Sequence, residues 1–145
     1  MKKSLQIIVT ALIVYSSHAL GVNWIITSGT DEAFLYYDSD TLVKNSGIVT
    51  VWKKMNVIEK NGQKYSWIFR EEIDCKKKIS RTISQIRYTD LDGKGKTLPA
   101  PKTDDKWDSN APGSVGETAL LDICKAAEKI PDQDSYATKF KNIFK

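Results

Sequence analysis

The chain has 145 residues, 41% of them hydrophobic and 28% charged, with a formal net charge of +4, which suits one globular domain with a modest core. A charge that small does not support nucleic-acid binding across the surface. With one histidine, His18, the commonest general base and metal ligand is almost missing.

Residues 1–19 have the layout of a secretory signal peptide: Lys2 and Lys3, an apolar run from Leu5 to Tyr15, and a small-x-small cleavage site at Ser17-His18-Ala19. Cleavage after Ala19 leaves about 126 residues with a charge near +2, still one domain. It also removes His18, which excludes Ser-His-Asp and Cys-His catalysis in the mature chain. The apolar run falls short of the about 20 residues of a spanning helix, and no later segment qualifies. No cysteine follows the leader, so a lipoprotein anchor is not expected. The expected organisation is a leader over 1–19, a domain over 20–130 and an amphipathic extension over 131–145.

From Val22 to Tyr88, short runs of β-branched and aromatic residues alternate with turn formers, which predicts sequential antiparallel strands. They are expected near Val22 to Ser28, Ala33 to Tyr37, Ile48 to Ile58, Lys64 to Cys75 and Ile79 to Tyr88. Asn61-Gly62 is a strong hairpin signal, so the third and fourth should pair. Alternation in the fourth strand puts Tyr65, Trp67, Phe69, Ile73 and Cys75 on one face, interrupted by Glu71, and Ser66, Arg70, Glu72 and Asp74 on the other. Asp90 to Asn110 is a long loop with a short strand after Gly95.

Ser114-Val115-Gly116-Glu117 is a capping box that starts a helix from Val115 to about Lys129, stopped by Pro131. Leu120, Leu121, Cys124 and Ala127 form its apolar stripe. Ser135 to Phe144 suggests a short second helix with Tyr136, Phe140, Ile143 and Phe144 on one side. An even pair of cysteines in an exported chain predicts one disulfide, Cys75 to Cys124, joining helix to sheet. The fold class is therefore α+β: an antiparallel sheet of about five or six strands with a C-terminal helix packed on one face and tied to it by the disulfide.

Few side chains carry chemistry. Asp90-Leu91-Asp92-Gly93 resembles part of a calcium loop, but Tyr88 and Pro99 stand where that loop needs acids, so it is better explained as a turn. Glu71, Glu72 and Asp74 are the one carboxylate group worth weighing for glycosidase chemistry, yet Glu71 and Glu72 point to opposite faces of a strand. No catalytic residue, metal ligand or cofactor is expected. The densest positive stretch is Lys76, Lys77, Lys78, Arg81 and Arg87, with Lys94, Lys96 and Lys102 following in the loop; it is a candidate surface for an acidic polysaccharide, anionic lipid or an acidic protein face, with edge protection as the competing use.

Trp24, Tyr36-Tyr37-Asp38, Val51-Trp52, Glu72-Ile73-Asp74-Cys75, Trp107, Pro112-Gly113-Ser114-Val115-Gly116-Glu117 and Cys124, in that order, resemble the surface-adhesin protein E family of Gram-negative bacteria over about Asn23 to Cys124. The resemblance implies a sheet with a disulfide-tethered helix and a surface or outer-membrane protein of the type that binds host extracellular-matrix and plasma proteins; a soluble periplasmic or secreted relative fits as well. It implies Cys75 and Cys124 as the bridge and names no ligand residue. A periplasmic or inhibitor-like binding module is the alternative, and a carboxylate-based wall hydrolase is the rival from another class.

Overall fold

The computed structural model describes residues 21–134, so the expected leader and the helix expected over Ser135 to Phe144 lie outside the described residues. Among the described residues, eight strands form one antiparallel sheet: β1 Trp24–Gly29, β2 Ala33–Asp38, β3 Val43–Asn45, β4 Ile48–Ile58, β5 Lys64–Asp74, β6 Ile79–Tyr88, β7 Thr97–Leu98 and β8 Asp108–Ser109. The order across the sheet is β1-β2-β4-β5-β6-β7, with β3 added to β4 and β8 to β6. The β4–β5 hairpin runs from Ile48 opposite Asp74 to Ile58 opposite Lys64 without interruption. Gly62, at φ +83, supplies the left-handed position that its turn needs.

Helix α1, Val115–Ala127, packs on the sheet. Ser114 Oγ accepts from Glu117 N–H at 3.1 Å, while the Glu117 carboxylate reaches back to Gly113 N–H at 2.6 Å, one residue beyond the usual partner of a capping box. The core joins Tyr37, Leu42, Val49, Val51 and Ile73 to Leu120, Ile123 and Ala127. Cys75 and Cys124 are disulfide-bonded across this contact.

Two details differ from the sequence reading. Leu121 is exposed and Ala119 and Ile123 are buried instead; at about 100° per residue, the stripe through 120 and 127 takes in 123 and leaves 121 to the side. The short strands β3 and β8 were not expected. Three and two residues carry too little alternation to register, and each forms by pairing with a long neighbour.

Cross-strand partners share a face, so the sheet has two distinct sides. Val49, Val51, Lys53 and Met55 stand opposite Ile73, Glu71, Phe69 and Trp67 on the helix side. Trp52, Lys54 and Asn56 stand opposite Arg70, Ile68 and Ser66 on the other. Among the described residues, that second side is covered only in part, by a 3₁₀ turn at Leu91–Gly93.

Candidate functional site

The basic stretch does not remain one surface. Lys76, Lys77 and Lys78 form the exposed β5–β6 turn, shaped by Asp74, whose carboxylate accepts from the N–H groups of Lys76 at 3.1 Å and Lys77 at 3.0 Å. The Lys77 backbone bond in particular holds the Asp74 carboxyl below its ordinary range, and the Lys77 ammonium lies 3.5 Å away. Arg81 pairs with Glu72 at 2.7 Å and stacks over Trp107 at 5.0 Å. Arg87 stacks over Tyr65 at 4.5 Å and Trp67 at 5.5 Å.

Strict alternation would put Arg81 and Arg87 on the same face. A one-residue bulge intervenes, because Arg70 is opposite Ser84 while Glu71 is opposite Thr82. Arg81 is thereby set against Glu72 and Arg87 against Trp67, on opposite sides of the sheet. Six residues of strand also separate them by about 20 Å. In exchange, the loop before α1 is held beside the lysine turn by pairing of Asp108 and Ser109 with Ser80 and Ile79. A shallow depression there is lined by Arg81, Lys102, Thr103, Asp104, Lys106 and Asp108. Lys106 is the addition that the sequence does not announce, because nothing local to it signals the β8 pairing.

The three neighbouring carboxylates are each engaged by a cation. Glu71 is buried on the helix side and bonds Lys53 at 2.8 Å. Glu72 holds Arg81, and Asp74 holds the lysine turn. Glu71 and Glu72 lie on opposite faces, and Glu72 and Asp74, which share one, are neighbours on a single strand that each hold a cation, not a pair set across a cleft.

Sequence reasoning missed the two buried lysines. Lys53 and Lys54 are each 5% exposed and leave β4 on opposite faces. The Lys53 ammonium also lies 5.2 Å from the Phe69 ring centre. Lys54 sits against Tyr36 at 4.5 Å and Trp24 at 4.9 Å and bonds Asp92 at 2.5 Å. Asn56 makes two bonds to the same residue, donating to its carboxylate and accepting from its N–H, both at 2.9 Å. Ser66 Oγ donates to Asp90 O at 2.6 Å and accepts from Gly93 N–H at 3.0 Å.

These bonds pin the Asp90–Lys94 turn onto the sheet. Gly93, at φ +70, occupies the left-handed region that favours glycine, and a Cβ there would also push the end of the Ile68 side chain, 2.5 Å away at Cδ1. The Lys54 hydrogen bond, followed by that of Asn56, holds the Asp92 carboxyl below its ordinary range. The acid that suggested calcium is thus occupied by a lysine and an amide. Among the described residues, no group of three or more His, Cys, Asp or Glu could hold a metal ion. The available signal was the run Lys54, Asn56 and Ser66 on one face, polar where an apolar face would be expected.

The family profile described as Surface-adhesin protein E matches residues 24–125. Two structures of Haemophilus influenzae protein E have a similar fold. One, crystal form II, has a TM-score of 0.56 and 17% identity and covers 74% of this chain and 91% of that one. The other has a TM-score of 0.55 and 15% identity and covers 76% and 89%. No curated protein matches the sequence.

Proposed function

Because the chain belongs to the surface-adhesin protein E family, we propose that it is an exported, non-catalytic binder of host extracellular-matrix or plasma proteins or of acidic polysaccharide. The contact surface is the β5–β6 turn with the adjoining loop: Lys76, Lys77, Lys78 and Arg81, joined by Lys102 and Lys106. Arg87 belongs to a second, aromatic place on the helix side and contributes separately.

The observation that carries this reading is the exposure of Lys76 and Lys78 at a turn where, among the described residues, no carboxylate lies within ion-pair distance of either. Beside them Lys102 and Arg81 line a concave surface. Asp104 and Asp108 reduce its net charge, which favours a patterned acidic partner over a uniformly charged one. Among the described residues no helix is long and apolar enough to cross a membrane, and the engagement of Glu71, Glu72 and Asp74 supports the non-catalytic part.

Heparin and immobilised matrix proteins are the probes. Replacing Lys76, Lys77 and Lys78 by Glu should weaken binding and flatten its salt dependence, since exposed charges are screened over about 8 Å at physiological ionic strength. Arg87→Ala should leave that salt dependence in place. Unchanged binding in the triple variant would assign the lysines to keeping the turn soluble and reject the proposed surface. Protease treatment of intact cells tests display at the surface against residence in the periplasm.

A further inference from the structure

The side of the sheet that α1 leaves uncovered carries an apolar surface. Val22, Trp24, Trp52, Ile68 and Ile86 line a shallow depression there, with Thr41 and Asp38 at its margin. Asp38 does not make it polar, because its carboxylate is turned to the N–H groups of Asn23 and Asp40, each at 3.1 Å. Val43 stands opposite Thr50 and so extends the same side. Val22 is 58% exposed and Ile86 39%. A contiguous apolar face of this kind, beside a buried Lys54 that already has its partner, marks a docking surface.

The path of the chain supplies the occupant. After α1, the Asp132 carboxylate accepts from the N–H groups of Ser46 at 3.1 Å and Gly47 at 2.8 Å, and Asp134 is bonded to Ser46 Oγ. The chain is thereby carried from the helix side to the β3–β4 turn at the end of the sheet, where both sides are within reach. Eleven residues follow, with Tyr136, Phe140, Ile143 and Phe144 at i, i+4, i+7 and i+8 and lysines at 139, 141 and 145. From Gly47 along β4 to Trp52 is about 17 Å. Eleven residues span about 16 Å as a helix and about 36 Å extended, so the length suffices in either form.

We propose that residues 135–145 dock on the open side of the sheet, laying Tyr136, Phe140, Ile143 and Phe144 over Val43, Trp52, Ile68 and Ile86. The lysines then remain in water at the rim. Tethering favours this segment over a second molecule, because a short connection holds it at an effective concentration of the order of millimolar.

Isoleucine methyl spectra of the mature chain test the proposal against two variants: one ending at Asp134, and a full-length Phe140→Ser, Phe144→Ser variant. The Ile68 and Ile86 methyl resonances should shift in both variants. Those of Ile73 and Ile123, beneath α1, should not, and the parent's positions should be independent of protein concentration. Unshifted Ile68 and Ile86 would overturn the proposal. So would shifts confined to Ile73 and Ile123, which would place the segment against the helix. Parent resonances that move on dilution would make the occupant a second copy and also reject it. If the truncated chain fails to fold, the double variant decides.

Discussion

The two sides of the sheet are secured by different physical means. The helix side has a packed core, with Val49, Val51 and Ile73 against Leu120 and Ile123, a covalent bridge, and a buried Lys53–Glu71 pair. The other side has a three-residue turn held by polar contacts: Lys54 and Asn56 to Asp92, and Ser66 to Asp90 and Gly93. Both sides bury a lysine from β4, and the lesson lies in the partners. Glu71 is as enclosed as Lys53, whereas the Asp92 side chain is 48% exposed while that of Lys54 is 6% exposed. Removing one partner should therefore cost more on the helix side than on the other.

That contrast can be broken first at Glu71. Glu71→Ala leaves the Lys53 ammonium buried without its counter-charge, for an expected loss of about 3–5 kcal/mol in denaturant titration. A loss below about 1 kcal/mol would mean that water reaches Lys53 and that the helix side is less closed than its geometry implies. The bridge comes next. Cys75 and Cys124 are separated by 49 positions, and replacing both with Ser should lower stability by about 2–5 kcal/mol. An unchanged unfolding midpoint would show that the core alone holds α1 in place.

Asp92→Asn should cost less, about 1–2 kcal/mol, because solvent screens the half-exposed carboxylate and the amide retains a contact to Asn56. Its pH dependence has a definite sign. Asp92 is held below its ordinary range by Lys54, so its stabilising effect is complete above the unfolded value of about 3.9 and disappears as pH falls through the lower folded value. Stability curves of parent and variant should differ at neutral pH and converge below about pH 4. A gap that persists into acid would locate the effect in shape rather than charge.

Legibility in the sequence follows the same division. The helix side announces itself through local signals: the Ser114 cap, the stripe through Leu120 and Ala127, the Asn61-Gly62 turn, and a cysteine in phase with Ile73. β4 and β6 have the expected bounds, and β5 ends one residue short of its expected end. The other side depends on a contact between Asp92 and Lys54, 38 positions apart, and no local pattern encodes such a pairing. The bulge near Ile83 was equally silent, and it is what separates Arg81 from Arg87. The candidate surface was thus legible as a concentration of charge, but its division into two places was not.

The smallest effect on stability is expected at the lysine turn, and it sharpens the comparison because this turn belongs to neither covered side. Lys77→Glu with Lys78→Glu should shift stability by no more than about 0.5 kcal/mol, since both side chains are exposed. Lys78 has φ +56, and glutamate has no better access to that region than lysine, so the backbone cost is shared by parent and variant. Heparin retention should fall in the same variant. A loss of retention at constant stability assigns the turn to binding. Retention and stability lost together would mean that the Asp74-centred turn is itself structural, because Lys77→Glu removes the ammonium beside Asp74 and sets a like charge there. Lys78→Glu alone, which leaves the Asp74 contacts intact, separates the two: retention that still falls belongs to the lysines' charge.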